Sequence, residues 1–145
     1  RAYLYFFDDK DEPQVHGSSG ITRNGKPKPS FHAVSQLYQT LGDYRFSRIV
    51  QKNSQLYLFE FLKGKDRDQV CWVLGHPLVF DRFKKSKKNH RATEITLADL
   101  PSKPDRLLAM QTSRESEPKD FVSTSGSITF ELSESPVYLF FEPKQ

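Results

Sequence analysis

Gly20-Ile21-Thr22-Arg23-Asn24-Gly25-Lys26-Pro27-Lys28-Pro29-Ser30-Phe31 is the stretch on which the reading of this 145-residue chain turns. Asn24-Gly25 is a tight-turn pair, because both residues tolerate positive φ. Pro27 and Pro29 hold the next residues extended, and a proline suits the first turn of a helix, where its missing N–H costs nothing. A helical pattern follows at once. Phe31, Val34, Leu37, Tyr38 and Leu41 fall on one face, and Gly42 occupies the C′ position that commonly ends a helix. A helix is therefore expected over residues 29–41. Its start is weakly capped: Lys28 is a poor N-cap, Lys26 and Lys28 oppose the helix dipole, and Ser30 is the alternative cap. Upstream lies the apolar run Tyr3-Leu4-Tyr5-Phe6-Phe7, ending in Asp8-Asp9. The order is a strand over 1–9, a polar loop over 10–28 with the turn inside it, then the helix.

From Tyr44 onward the apolar period changes from helical to strand-like. Strands are expected over 44–50, 56–62, 69–74, 92–97, 106–110, 127–132 and 137–141. Turn signals separate them, among them Lys52-Asn53-Ser54, Lys63-Gly64-Lys65-Asp66, Ser125-Gly126 and Ser133-Glu134-Ser135-Pro136. Short strands between regular turns argue an antiparallel β-sandwich. Ile128, Phe130 and Leu132 alternate with Ser127, Thr129 and Glu131, so that strand has one wet face. Residues 56–62 are apolar on both faces and should lie centrally, or be covered by something outside the sandwich. Trp72, Phe130 and Leu139 belong in the core. Residues 112–120 are polar and read as a mobile loop.

The opening string also resembles a known pattern. It is similar to the last βα unit of the (β/α)8-barrel glycoside hydrolases of the retaining clan with two catalytic glutamates. There the eighth strand ends in a loop of the form G-L-x-x-x-G-x-P-K-P-A-Y, and the last helix follows. Gly20-Ile21, Gly25, Pro27-Lys28-Pro29 and Ser30-Phe31 match it, with Ser30 where alanine is commoner. The match covers about residues 1–42. Many such enzymes carry a small β-sandwich after that helix, and the rest of this chain resembles one more weakly. The fold class expected is thus mainly β: residues 1–43 as one strand–loop–helix unit from the end of a barrel, and 44–145 as a C-terminal antiparallel β-sandwich.

Length agrees with a part rather than a whole. A complete (β/α)8 barrel needs about 250 residues, whereas 145 accommodate one domain of ordinary size plus a leader. Beginning at Arg1, directly before an apolar strand, the chain is expected to be the tail of a longer protein. The single cysteine, Cys71, sits in the apolar run Val70-Cys71-Trp72-Val73-Leu74 and reads as a buried free thiol. It excludes an internal disulfide. The net charge of +4 is concentrated in Arg82-Phe83-Lys84-Lys85-Ser86-Lys87-Lys88-Asn89-His90-Arg91. A nucleic-acid patch is the sharp reading of that run, but one interleaved aromatic favours a solvated hairpin loop. No run approaches the length of a transmembrane helix.

For chemistry, the acids are the first candidates. Asp8, Asp9, Asp11 and Glu12 crowd the end of the first strand, and strand C-termini form the active-site face of such barrels. Asp8, Asp9 or His16 is therefore expected to touch a sugar hydroxyl. The competing reading, a solvated acidic loop, carries more weight. Asp8 and Asp9 cannot both point inward, because strand neighbours face opposite ways, which also argues against an acid–nucleophile pair. The resemblance implies an aromatic sugar platform at the end of the eighth strand, where Phe6 or Phe7 stands, with core packing favoured; for Trp72, which resembles an aromatic of the appended sandwiches, core is likewise favoured over a stacked sugar. His16, His32, His76 and His90 lack metal-ligand spacing. No metal and no cofactor are expected.

The resemblance implies that both catalytic glutamates precede the eighth strand, so no catalytic residue is assigned here. It implies hydrolysis of β-linked glycans by the whole protein and a structural role for this chain. The expected partners are the missing barrel residues of the same protein and, through them, carbohydrate, with neither nucleic acid nor membrane. A secreted or periplasmic location follows from the resemblance alone. The alternative class is a free-standing carbohydrate-binding or protein-interaction sandwich with residues 1–42 as an N-terminal arm.

Overall fold

The computed structural model describes residues 7–9, 19–77, 92–114, 118–133 and 135–143. Most of the expected first strand, together with Asp11, Glu12, His16 and the basic run 82–91, lies outside the described residues. The chain divides into two compact units, Arg1–Gly42 with Gln111–Ser116, and Asp43–Met110 with Glu117–Gln145.

The first unit carries three two-residue strands and the helix: β1 (Asp8–Asp9), β2 (Thr22–Arg23), β3 (Lys26–Pro27) and α1 (Pro29–Leu41). β1 runs parallel to β2, and β2 pairs antiparallel with β3. The hairpin closes through Asn24 and Gly25, both at positive φ (50° and 71°). That is the geometry of a two-residue primed turn, which matches strand twist. Pro27 is tolerated because β3 is an edge strand. α1 begins at Pro29, in the first turn where its fixed φ fits. Lys28 is the N-cap residue and gives no side-chain capping bond, so Ser30 does not take over that role.

One expectation for α1 needs correction. Gly42 is right-handed (φ −53°, ψ −38°), and its N–H donates to Tyr38 O at 2.8 Å. It therefore continues the helical bonding instead of breaking it in the left-handed region. The apolar face is partly open. Leu37 and Tyr38 are 45% and 79% exposed, whereas Gln36 is the buried residue of the helix, at 4%. Periodicity places apolar side chains on one side but does not say what lies against them. Here a tertiary hydrogen bond of Gln36, described below, decides which side is covered.

The second unit is two antiparallel sheets. Its strands are β4 (Arg45–Lys52), β5 (Tyr57–Lys63), β6 (Gln69–Gly75), β7 (Thr93–Leu97), β8 (Pro104–Ala109), β9 (Val122–Thr124), β10 (Ser127–Leu132) and β11 (Val137–Phe141). The larger sheet has the order β4-β5-β6-β11-β8 and the smaller β7-β10-β9. Seven of these strands were expected, within two residues at each end. β9 was not, because three residues carry too little alternation to register as a period. The far end of the loop expected over 112–120 is bonded to β8. Pro118 bridges Leu108, and Lys119 N–H donates to Leu107 O at 2.9 Å.

The core lies between the sheets. β5, β6 and β11 contribute Leu58, Trp72, Leu74, Val137, Leu139 and Phe141, and β10 contributes Ile128, Phe130 and Leu132. The period-two pattern of β10 is obeyed, its three apolar residues buried. Trp72 packs edge-on against Phe141 with ring centroids 5.0 Å apart. β5 lies between β4 and β6, in keeping with its two apolar faces. Leu58 points to the core, while Tyr57, Phe59 and Phe61 are half-buried on the other face. Cys71 is fully buried, and desolvation pushes its thiol up to about 12, so it is an inert core residue.

Candidate functional site

Strand alternation separates the two aspartates of β1. Asp8 is exposed and Asp9 is 2% exposed. Each nonetheless serves the loop that follows. Asp8 Oδ1 accepts from Thr22 Oγ1 at 2.6 Å and from Gly25 N–H at 3.1 Å. Asp9 Oδ1 accepts from Gly20 N–H at 2.5 Å, and its Oδ2 from Lys28 Nζ at 2.7 Å. Lys28 Nζ also donates to Gly20 O, and Arg23 stands 3.7 Å from Asp9 Oδ2.

The result is a buried carboxylate with both oxygens engaged, which is what burial of a charge requires. The Lys28 bond, with help from Gly20 N–H and the nearby charges, outweighs desolvation and holds the Asp9 carboxyl below its ordinary range. Gly20 is needed for this approach. A Cβ there would stand 2.7 Å from Asp9 Oδ1 and 3.0 Å from the Asp8 and Asp9 backbone. Asp9 is thus a clip that closes the loop from residue 9 to residue 28.

Of the three residues singled out from sequence, Asp8 and Asp9 are brought together on β1, and His16 lies outside the described residues. Phe7 is 59% exposed and meets Phe31 edge-on, with centroids 6.5 Å apart. Trp72 is a core residue at 3% exposure, as favoured.

Two groups escaped the sequence reading. From the sequence Lys28 reads as a poor cap and as part of the matching string, and its contact with Asp9 is not visible there. Glu60 is the lone charge in the apolar run of β5, and it is 6% exposed. Its Oε1 accepts from Ser47 Oγ (3.1 Å) and Arg48 Nε (3.0 Å). Its Oε2 accepts from Trp72 Nε1 (3.2 Å) and an Arg48 terminal nitrogen (3.3 Å). Burial works to raise the Glu60 pKa, but the bonds from Arg48, Trp72 and Ser47 together bring it below the ordinary value. A charge in an otherwise apolar strand was the available signal.

The second unit also has a groove of about 460 Å³ lined by Tyr57 and Phe59 together with His76 and Pro136. Among the described residues no group of three His, Cys, Asp or Glu side chains is placed to hold a metal ion. No helix of the described residues is long and apolar enough to cross a membrane.

Neither a protein-family model nor a curated protein matches the chain. Among solved structures, the chain is similar to a family 39 glycoside hydrolase from the gut symbiont Bacteroides cellulosilyticus WH2, at 21% identity and a TM-score of 0.68. The match covers 94% of this chain and 25% of that one, so the chain spans about a quarter of the length of the enzyme it resembles. The likeness is one of fold: among the described residues, one helix followed by antiparallel sheets, as in that part of the hydrolase.

Proposed function

We propose that the chain is the non-catalytic C-terminal part of a retaining glycoside hydrolase acting on β-linked glycans. It would close the barrel and dock the sandwich beside it. The observation that carries this reading is the fold likeness, which takes in nearly the whole chain and a quarter of a family 39 enzyme. The string Gly20–Phe31 adds to it. Gly20 admits the Asp9 carboxylate, Asn24-Gly25 makes the turn, Lys28 neutralises Asp9 and Pro29 starts the helix. Four of the matching positions, Gly20, Gly25, Lys28 and Pro29, thus serve the local structure, which a strand-to-helix connection must hold whatever sugar the parent binds.

In this reading both catalytic glutamates lie elsewhere in the parent protein. Asp8, the exposed one of the two aspartates of β1, is the better disposed of the pair to meet a glycan hydroxyl, and Asp9 holds the loop behind it. The missing barrel strands are the partner of β1, and a secreted or periplasmic location suits a glycan substrate.

The test is hydrolysis of a panel of aryl β-glycosides by the purified chain. No turnover is expected, because loss of either carboxylate of a glycosidase pair disables the chemistry. Turnover that persists through further purification and disappears in Asp8→Asn would overturn the assignment.

A further inference from the structure

The first unit contains a concave pocket of about 470 Å³, within the range of small-ligand sites. One wall is a stripe of α1. Phe31, Ser35 and Gln39 recur every four residues and so lie on one side of the helix. His32 stands beside Phe31, their rings edge-on with centroids 5.7 Å apart, and Pro27 adds its ring to the apolar part. The remaining groups, Gln111 and Arg114, come from the segment after β8. That segment is fixed to the helix: the Gln36 Oε1, on a residue 4% exposed, accepts from Gln111 N–H at 2.7 Å. A buried glutamine thereby anchors Gln111 at the pocket, and Arg114 lines it three residues on.

The chemistry is mixed in a particular way. Phe31 and Pro27 offer an apolar surface. The Ser35 hydroxyl, the Gln39 amide and the His32 imidazole supply both donors and acceptors. Gln39 Nε2 and Ser35 Oγ are 3.4 Å apart, a long bond that a ligand hydroxyl can replace. Arg114 brings a planar guanidinium fork suited to a carboxylate or sulfate. Among the described residues no acidic side chain lines the pocket. An apolar wall with several hydroxyl-seeking groups and one cation fits a polyhydroxylated ring carrying a single negative charge.

We infer that this pocket binds a sugar bearing one anionic substituent, carboxylate or sulfate, with Arg114 on the anion, Gln39 and Ser35 on hydroxyls and Phe31 against the ring. Nothing in the pocket depends on the glycosidase reading, so either can fail alone.

The test is an amide-resolved NMR titration of the full chain with glucuronate, glucose 6-sulfate, glucose, sodium sulfate and adenosine monophosphate. Saturable shifts at His32, Gln39 and Arg114 are expected with at least one anionic sugar. Which of the two binds identifies the anion as carboxylate or sulfate. Glucose and inorganic sulfate should bind at least about tenfold more weakly. Arg114→Ala should weaken the anionic sugar about tenfold, and Arg114→Lys less, with the remaining spectrum unchanged. The inference is overturned by no saturable shifts, by equal binding of glucose or sulfate alone, by tighter binding of the nucleotide, or by an affinity untouched in Arg114→Ala.

Discussion

Gly20, Asp9 and Lys28 show how a loop of the first unit is held by three residues far apart in sequence. Gly20→Ala puts a methyl group against the Asp9 carboxylate and the β1 backbone. Overpacking of this kind costs about 1–3 kcal/mol, and it should appear as faster amide exchange across β2 and the hairpin, with the second unit unchanged. pH acts on the same clip. The folded Asp9 pKa is below its ordinary 3.8. Its contribution is therefore complete above that value and is lost as pH falls through the depressed folded one. Amide protection in the hairpin should hold from neutrality to about pH 5 and fall only in stronger acid, and Asp9→Asn should abolish that dependence. In the second unit, Trp72→Phe keeps the packing against Phe141 but removes a bond to a buried carboxylate. A loss of about 1.5–3 kcal/mol in urea unfolding is expected. Arg48→Ala, at a side chain 63% exposed, should cost less than that. Sequence made the opposed directions of Asp8 and Asp9 legible through strand alternation. The partnership of Asp9 with Lys28, nineteen residues on, was not, because a lysine in a string declares a charge and not its contact.

At the level of elements, strands read better than faces. The strands of the second unit follow from alternation and turn residues, which act locally. Bounds moved by a residue or two where a bridge or bulge intervenes, as between Phe46 and Arg48 on β4. The helix was legible as a helix from Pro29 and the apolar spacing. Its buried side was not, because Gln36 is covered through a hydrogen bond to Gln111, seventy-five residues away. This makes a contrast that unfolding of the isolated chain can measure. Leu139→Ala on β11, at a position with no exposure, should cost about 2–5 kcal/mol. Tyr38→Ser on the open side of α1 should stay within about 0.5 kcal/mol. If Tyr38→Ser proves as costly as Leu139→Ala, the exposed side of the helix has been misassigned.

Over the whole molecule, two kinds of evidence converge. The string at Gly20–Phe31 resembles the end of a (β/α)8 glycoside hydrolase, and the fold matches a quarter of a family 39 enzyme. The sandwich was legible because its core is made by short-range alternation repeated over many strands. The functional chemistry was not: the sequence assigns no catalytic residue, and Asp9, a candidate sugar contact there, is tied into local hydrogen bonds. The most direct measurement is to read the coding sequence on the N-terminal side of Arg1. It should encode seven further strand–helix units, with one glutamate ending the fourth strand and another ending the seventh. A reading frame that opens at Arg1, or that continues upstream into an unrelated fold without those glutamates, would contradict the assignment.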